Sequence, residues 1–197
     1  MRRSLFCVLM IPLVLLSGCG GGSGAEEPQA AALDQFRTMA GAESDISVSC
    51  TWNGELRDYM LHCVYTPEGE STVEVVEPEE LAGIKAVLDG ETFQLAYEDI
   101  CLDAGALSDE ALSPAACGPR LLDALRTGWM LEENKEDWGE TACLRVTVDT
   151  TGSGGGKILW TAWLDQQTYA PVHGEIAVGD EILFQLEFTN FTFHDII

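Results

Sequence analysis

Positive charge is scarce in this sequence: 10 Lys and Arg stand against 33 Asp and Glu, a formal charge of −23. Arg2 and Arg3 belong to an N-terminal leader, which leaves three Lys and five Arg scattered along the rest of the chain. That scatter excludes nucleic acid as a partner, because binding to phosphate backbones needs clustered cations that displace counterions. It excludes a polybasic contact with anionic head groups for the same reason. The acidity reads as a solvated face repelled from an anionic cell envelope. Long apolar runs are missing too. The one at residues 5–16 falls short of the roughly 20 residues that cross a bilayer as a helix.

The short motifs of catalysis are absent as well. There is no GxSxG elbow, no CxxC pair and no His at metal-ligand spacing. His62, His173 and His194 are the only histidines; they fall on three separate predicted strands and read as strand surface residues. Residues 151–157 place several glycines before Lys157, but Thr151 stands where a phosphate loop needs its first glycine and Ile158 where it needs Ser or Thr for magnesium. The segment reads as a flexible turn. Carboxylates are so numerous that a close pair such as Asp99 and Asp103 carries little information, and none follows the ligand spacing of a calcium loop. Neither enzymatic activity nor a metal or cofactor is expected.

What the sequence does contain begins at its N-terminus. Arg2 and Arg3, the apolar run 5–16 and the tetrapeptide Leu16-Ser17-Gly18-Cys19 form a charged region, a hydrophobic region and a lipobox. Small residues before the cysteine let a signal peptidase reach the bond, and the free thiol receives a diacylglyceryl group. Residues 1–18 are therefore expected to be removed, with Cys19 as the acylated first residue of the working protein. Several acyl chains give stable attachment where one does not. Residues 19–27, with Gly20-Gly21-Gly22-Ser23-Gly24, have the composition of a flexible tether. The expected location is the extracytoplasmic face of the cell membrane. Residues 28–197 are the size of one domain with a single core.

Of the seven cysteines, Cys7 lies in the leader and Cys19 carries lipid, leaving Cys50, Cys63, Cys101, Cys117 and Cys143. Cys50 and Cys63 lie on two alternating segments joined by a short polar turn, and Cys101 and Cys117 bracket a loop and a helix start. Both pairs are expected to form disulfides, with Cys143 left as a free thiol. The second bridge would be worth about 3 kcal/mol on the chain-entropy account.

Periodicity predicts an amphipathic helix over 28–39, then strands over 46–52, 59–66 and 71–76. A helical turn over 77–83 follows, then a hairpin of 84–88 with 92–99 around Asp89-Gly90. Ser113-Pro114 caps a second helix that Gly128 ends. Strands over 129–133, 142–149, 157–164, 172–178 and 182–193 complete the chain. Residues 157–164 are apolar on both faces, so that strand is expected to be covered on both sides. Such an antiparallel meander, with two helices to cover it, either closes into a barrel or curves around the helices. The tryptophans and phenylalanines, Trp160 and Phe184 among them, serve either as plain core or as the wall of an apolar pocket.

The order of lipobox, Gly/Ser tether, helix and strands, the segment Pro78-Glu79-Glu80-Leu81-Ala82-Gly83-Ile84, the helix start Leu112-Ser113-Pro114, and closing strands with Phe188-Thr189-Asn190-Phe191 resemble the lipoprotein-sorting (LolA/LolB-like) superfamily, in particular small lipid-anchored members of single-membrane bacteria. The resemblance implies an α+β fold, an unclosed antiparallel β-barrel wrapped around two helices, with an apolar cavity that accepts acyl chains. The candidate lining is Trp52, Leu61 and Leu95 from the first strands, Leu121 and Leu125 from the second helix, and Val146, Trp160, Phe184, Leu186 and Phe188 from the last strands. An anchored protein cannot ferry cargo. The resemblance therefore implies a membrane-anchored binder of an acyl chain or other apolar ligand. The alternative it implies is a non-enzymatic regulator of an envelope protein, as germination lipoproteins are of a cortex amidase.

Overall fold

The computed structural model describes residues 28–195, apart from 53, 91, 99, 107–111 and 151–157. The leader, Cys19, the tether and the Gly-rich loop thus lie outside the described residues. Helix α1 (Pro28–Thr38) runs directly into β1 (Gly41–Trp52), and β2 (Glu55–Tyr65), β3 (Glu70–Glu77), β4 (Lys85–Asp89), β5 (Thr92–Tyr97) and β6 (Ile100–Ala106) follow. Helix α2 (Pro114–Thr127) then leads to β7 (Trp129–Trp138), β8 (Thr141–Asp149), β9 (Ile158–Asp165), β10 (Pro171–Val178) and β11 (Glu181–His194). The helical turn between β3 and β4 is a short 3-10 turn, Glu79–Leu81. No described helix is long and apolar enough to cross a membrane.

All the strands join one antiparallel sheet in the order β6-β5-β4-β3-β2-β1-β11-β10-β9-β8-β7. Two meanders, β1 to β6 and β7 to β11, are zipped together by the pairing of the first strand with the last, from Gly41 opposite His194 to Cys50 opposite Phe184. The outermost strands β6 and β7 are not paired with each other, so the sheet curves around the helices without closing. This is the unclosed barrel around two helices that the family resemblance implies, and it decides between the two arrangements that periodicity leaves open.

Strand β6 is absent from the sequence-based expectation. Its residues Asp103, Ala104, Gly105 and Ala106 are poor strand formers. Ile100 and Leu102, which should mark a buried face, are exposed instead. Strand β7 runs to Trp138, five residues past the expected end, through a charged stretch that an edge strand tolerates.

Helix α2 starts where the Ser113 hydroxyl accepts a hydrogen bond from the amide of Ala116 at 3.3 Å, with Pro114 in the first turn where its missing N–H costs nothing. It ends at Gly128, whose amide donates to the Ala124 carbonyl at 2.7 Å. Leu121, Leu122 and Leu125 are fully buried against Ile46, Val48, Leu61, Val146, Ile176 and Leu186 of the concave face. Two glycines allow this depth. A Cβ on Gly118 of the helix would collide with Ile46, and one on Gly174 of β10 would stand 2.5 Å from Leu121 Cδ2. Helix α1 adds Ala32, Leu33 and Phe36 to the same core, and Met39 just after it does likewise, with the Phe36 ring edge-on to Phe193 at 5.4 Å.

The sheet has a second, smaller cluster on its outer face. Along β9, Ile158, Trp160, Ala162 and Leu164 point into the main core, while Trp163 is buried on the opposite side. Trp138 stacks on His173 with centroids 3.7 Å apart, and Trp163 lies 4.9 Å from the same imidazole. Arg145 sits over Trp163 at 5.9 Å. The two-sided cover expected of this strand is therefore present. The surface role expected of His173 is not: at 2% exposure it lies beneath Trp138 and beside Trp163, with Nδ1 2.8 Å from Glu187. His62 and His194 do stay partly exposed, both near Glu43.

The β9 to β10 turn is organised by Asp165, whose Oδ1 accepts from the amides of Gln167 and Thr168 at 2.8 Å each and from the Thr168 hydroxyl at 3.1 Å. These donors, the Thr168 amide first, hold its carboxyl below the usual range. A depressed carboxyl contributes stability above its unfolded value of about 4 and loses it as pH falls through the folded value. Asp165→Ala should thus lower the thermal midpoint at pH 7, and the gap to the parent should narrow at pH 3.

Gly118→Ala tests the helix seat. Helix propensity alone would make the change stabilising by about 1 kcal/mol, whereas overpacking costs about 1–3 kcal/mol. A net loss in urea unfolding is expected, and a net gain would show that α2 stands further from the sheet.

Candidate functional site

The expected pocket wall and a cavity formed by the described residues differ in position. Leu61, Leu121, Leu125, Val146 and Leu186 are 0–1% exposed and belong to the packed core, with Phe184 and Phe188 beside them. Leu95 packs at the core margin, and the side chain of Trp52 lies outside the described residues. Of the ten expected lining residues, Trp160 is the one that borders the cavity described next. The reason is the depth of α2: its leucines fill the space that a shallower helix would leave open.

A cavity of about 400 Å³ lies instead where inward residues are small. One wall is the α2 face of Pro119, Arg120, Asp123, Ala124, Arg126 and Thr127. The other comes from both halves of the sheet: Tyr65, Thr66, Glu68, Gly69 and Ser71 around the β2 to β3 turn, Leu88 and Gly90 at the β4 to β5 turn, Thr150 just after β8, and Trp160 of β9. Gly90 faces open space, and Ser71 and Ala124 add small side chains to the lining. A search for large apolar residues passes over such positions; the signal that could have found them is a strand end bearing Gly or Ser opposite Ala or Thr on the helix.

Leu88, Pro119, Ala124 and Trp160 give the cavity an apolar part, and the Trp160 indole N–H donates to the Thr150 hydroxyl at 3.0 Å, fixing the ring. A polar network borders it. Tyr65 donates its hydroxyl to Asp123 at 3.0 Å, Arg126 donates to the same Asp123 oxygen through Nε and Nη2 at 3.2 Å, and its Nη1 reaches Glu68 at 3.0 Å. Burial, followed by the Asp123 charge, pushes the Tyr65 hydroxyl well above its ordinary pKa, so it stays protonated and donating. The network ties the β2 to β3 turn to the last turn of α2. It offers both donors and acceptors, and no arrangement of nucleophile and base occurs in it. Among the described residues no group of three His, Cys, Asp or Glu side chains is placed to hold a metal ion.

The disulfide expectation is corrected by the register. Cys50 stands opposite Arg57 and Cys63 opposite Ser44 on the same hairpin. Six positions at about 3.4 Å each separate them by roughly 20 Å, far beyond the span of a disulfide. Cys101 is exposed on the edge strand, its thiol directed at Gln94, whereas Cys117 is buried in α2 with its thiol on the Ser113 carbonyl at 3.0 Å. All five are free thiols. Burial pushes the Cys63 thiol up to about 12 and raises that of Cys117 as well, so neither forms thiolate readily at neutral pH. An aromatic disulfide reagent should label Cys101 within the folded protein and reach Cys63 and Cys117 only on unfolding. A native protein with no reactive thiol would contradict this arrangement.

No protein-family model matches the sequence, and no curated protein does. Solved structures similar in shape do exist. One is a LolA superfamily protein from Nitrosomonas europaea, 10% identical, with a TM-score of 0.44 over 85% of this chain and 94% of that one. Another is the lipoprotein LppX of Mycobacterium tuberculosis, 11% identical, with a TM-score of 0.46 over 86% and 94%. A third match is to a chain in the complex of the CwlD amidase with the GerS lipoprotein of Clostridioides difficile, 16% identical, with a TM-score of 0.41 over 86% and 96%. The likeness is one of overall shape.

Proposed function

We propose that this protein is a lipid-anchored extracytoplasmic binding protein that holds an acyl chain or another apolar ligand in the cavity beside α2. Cavity size and lining carry the reading: about 400 Å³, with an apolar part at Leu88, Pro119, Ala124 and Trp160 and hydrogen-bonding groups at its border. Small-molecule sites occupy roughly 300–1,000 Å³ and combine apolar walls with a few placed polar groups. An apolar segment would lie against Trp160 and Leu88. Its polar end would meet Tyr65, Arg126 and Asp123, which already carry both donors and acceptors. The lipobox at Cys19 supports a location at one membrane surface, and the tether of residues 19–27 would keep the cavity within reach of lipids and envelope proteins there. Nothing in the cavity's chemistry calls for a cofactor.

Native mass spectrometry of the purified protein should show a bound lipid. In titration with a fluorescent fatty acid, Ala124→Trp, which fills the cavity from the helix side, should weaken binding about tenfold or more, on the scale of losing the contacts of an occupied apolar pocket. The far-UV spectrum should stay unchanged. Equal binding by parent and variant would place the ligand elsewhere, and no binding by the parent would end the reading.

A further inference from the structure

The charges that border the cavity beside α2 are already matched. Its lining holds two carboxylates, Glu68 and Asp123, and two guanidinium groups, Arg120 and Arg126. Arg126 is engaged with both carboxylates: Nε and Nη2 donate to Asp123 at 3.2 Å, and Nη1 donates to Glu68 at 3.0 Å. The two bonds to Asp123 and that from the Tyr65 hydroxyl all end on Oδ1, so Oδ2 takes no part in them. A guanidinium carries more N–H donors than these bonds use. The border can therefore both donate to an incoming group and accept from it, but it holds no surplus of positive charge.

An acid head and a hydroxyl head fare differently at such a border. A carboxylate only accepts hydrogen bonds, and one placed against Arg126 lies beside Asp123 and Glu68, on a chain of formal charge −23 that repels anions at longer range. Like charges so placed cost about tenfold in affinity even where water partly screens them. A hydroxyl carries no charge, donates to Asp123 or Glu68 and accepts from Arg126. Size narrows the class further. An apolar cavity of roughly 150 Å³ takes a benzene ring, so about 400 Å³ has room for one chain with a small head and not for the paired chains of a phospholipid.

We infer that the cavity selects a single-chain lipid whose head is uncharged and bears hydroxyl groups, and that Asp123 and Glu68, held by Arg126 and Tyr65, turn acid heads away. The inference rests on the proposed binding of an apolar ligand in this cavity and adds the class of its head. The test is displacement of a fluorescent fatty acid from the purified protein by decyl compounds that differ in the head: monodecanoylglycerol, decyl glucoside, decanoate and decyl phosphate, each below its micelle concentration, with didecanoylglycerol as the two-chain control. At low ionic strength the glycerol monoester, the glucoside or both should displace the probe at about tenfold lower concentration than decanoate or decyl phosphate, and salt should narrow the gap. Which of the two uncharged compounds is stronger tells a glycerol-sized head from a sugar-sized one. Asp123→Asn with Glu68→Gln leaves Arg126 without its counter-charges, so decanoate should gain about tenfold while the monoester changes little. Glu68→Gln alone, at a side chain 79% exposed and therefore safe for folding, should move the ratio in the same direction. Thermal midpoints check both variants. Equal displacement by all the heads, stronger displacement by decanoate, a two-chain ester as effective as the monoester, or a ratio unmoved in both variants would each overturn the inference and leave the binding reading standing. A probe that does not bind the parent at all would end both.

Discussion

Everything in this fold depends on how closely α2 approaches the concave face of the sheet. Gly118 of the helix receives the Ile46 side chain and Gly174 of the sheet receives that of Leu121, so that at two points a side chain of one element rests on the bare backbone of the other. From that seat, Leu121, Leu122 and Leu125 fill the barrel and displace open space to the cavity between the last turns of the helix and the ends of β4 and β9. The helix also links the two sheet edges in the chain, from β6 to β7. Core, cavity and open barrel are thus three results of one packing distance.

Much of the fold is legible in the sequence because period and punctuation agree. Ser113-Pro114 and Gly128 delimit α2, Asp89-Gly90 marks a hairpin, and the alternation of Leu144, Val146 and Val148 gives β8 its inward face. Strand β6 escapes because its apolar alternation stops after Ile100 and Leu102 and gives way to Asp, Ala and Gly, and at the sheet edge both apolar residues stay exposed. The disulfide pairs fail for a related reason. Proximity in sequence across a hairpin suggests contact, but the register places Cys50 and Cys63 at opposite ends of it.

The site is less legible than the fold. Large inward residues are easy to find and mark where matter is, whereas a cavity is defined by where it is missing. Trp160 is common to both because it belongs to the core and borders the space at once. His173 is a further instance: a polar residue on an outward strand position is expected in solvent, yet aromatic neighbours from β7 and β9 roof it over. Neighbours from other strands, which sequence periodicity does not see, decided both cases.

The pairing of β1 with β11 places the two ends of the domain side by side, with the Ala40 amide on the His194 carbonyl at 2.8 Å. The central seam of the sheet therefore joins residues about as far apart along the chain as the domain permits. Contacts of such separation form slowly, since a long loop must close before they are rewarded. For a chain made from its N-terminus, this means that the seam cannot assemble until the last strand has been synthesised. The topology itself keeps the two meanders unjoined until the domain is complete, so that core, helices and sheet edge are settled in one late step.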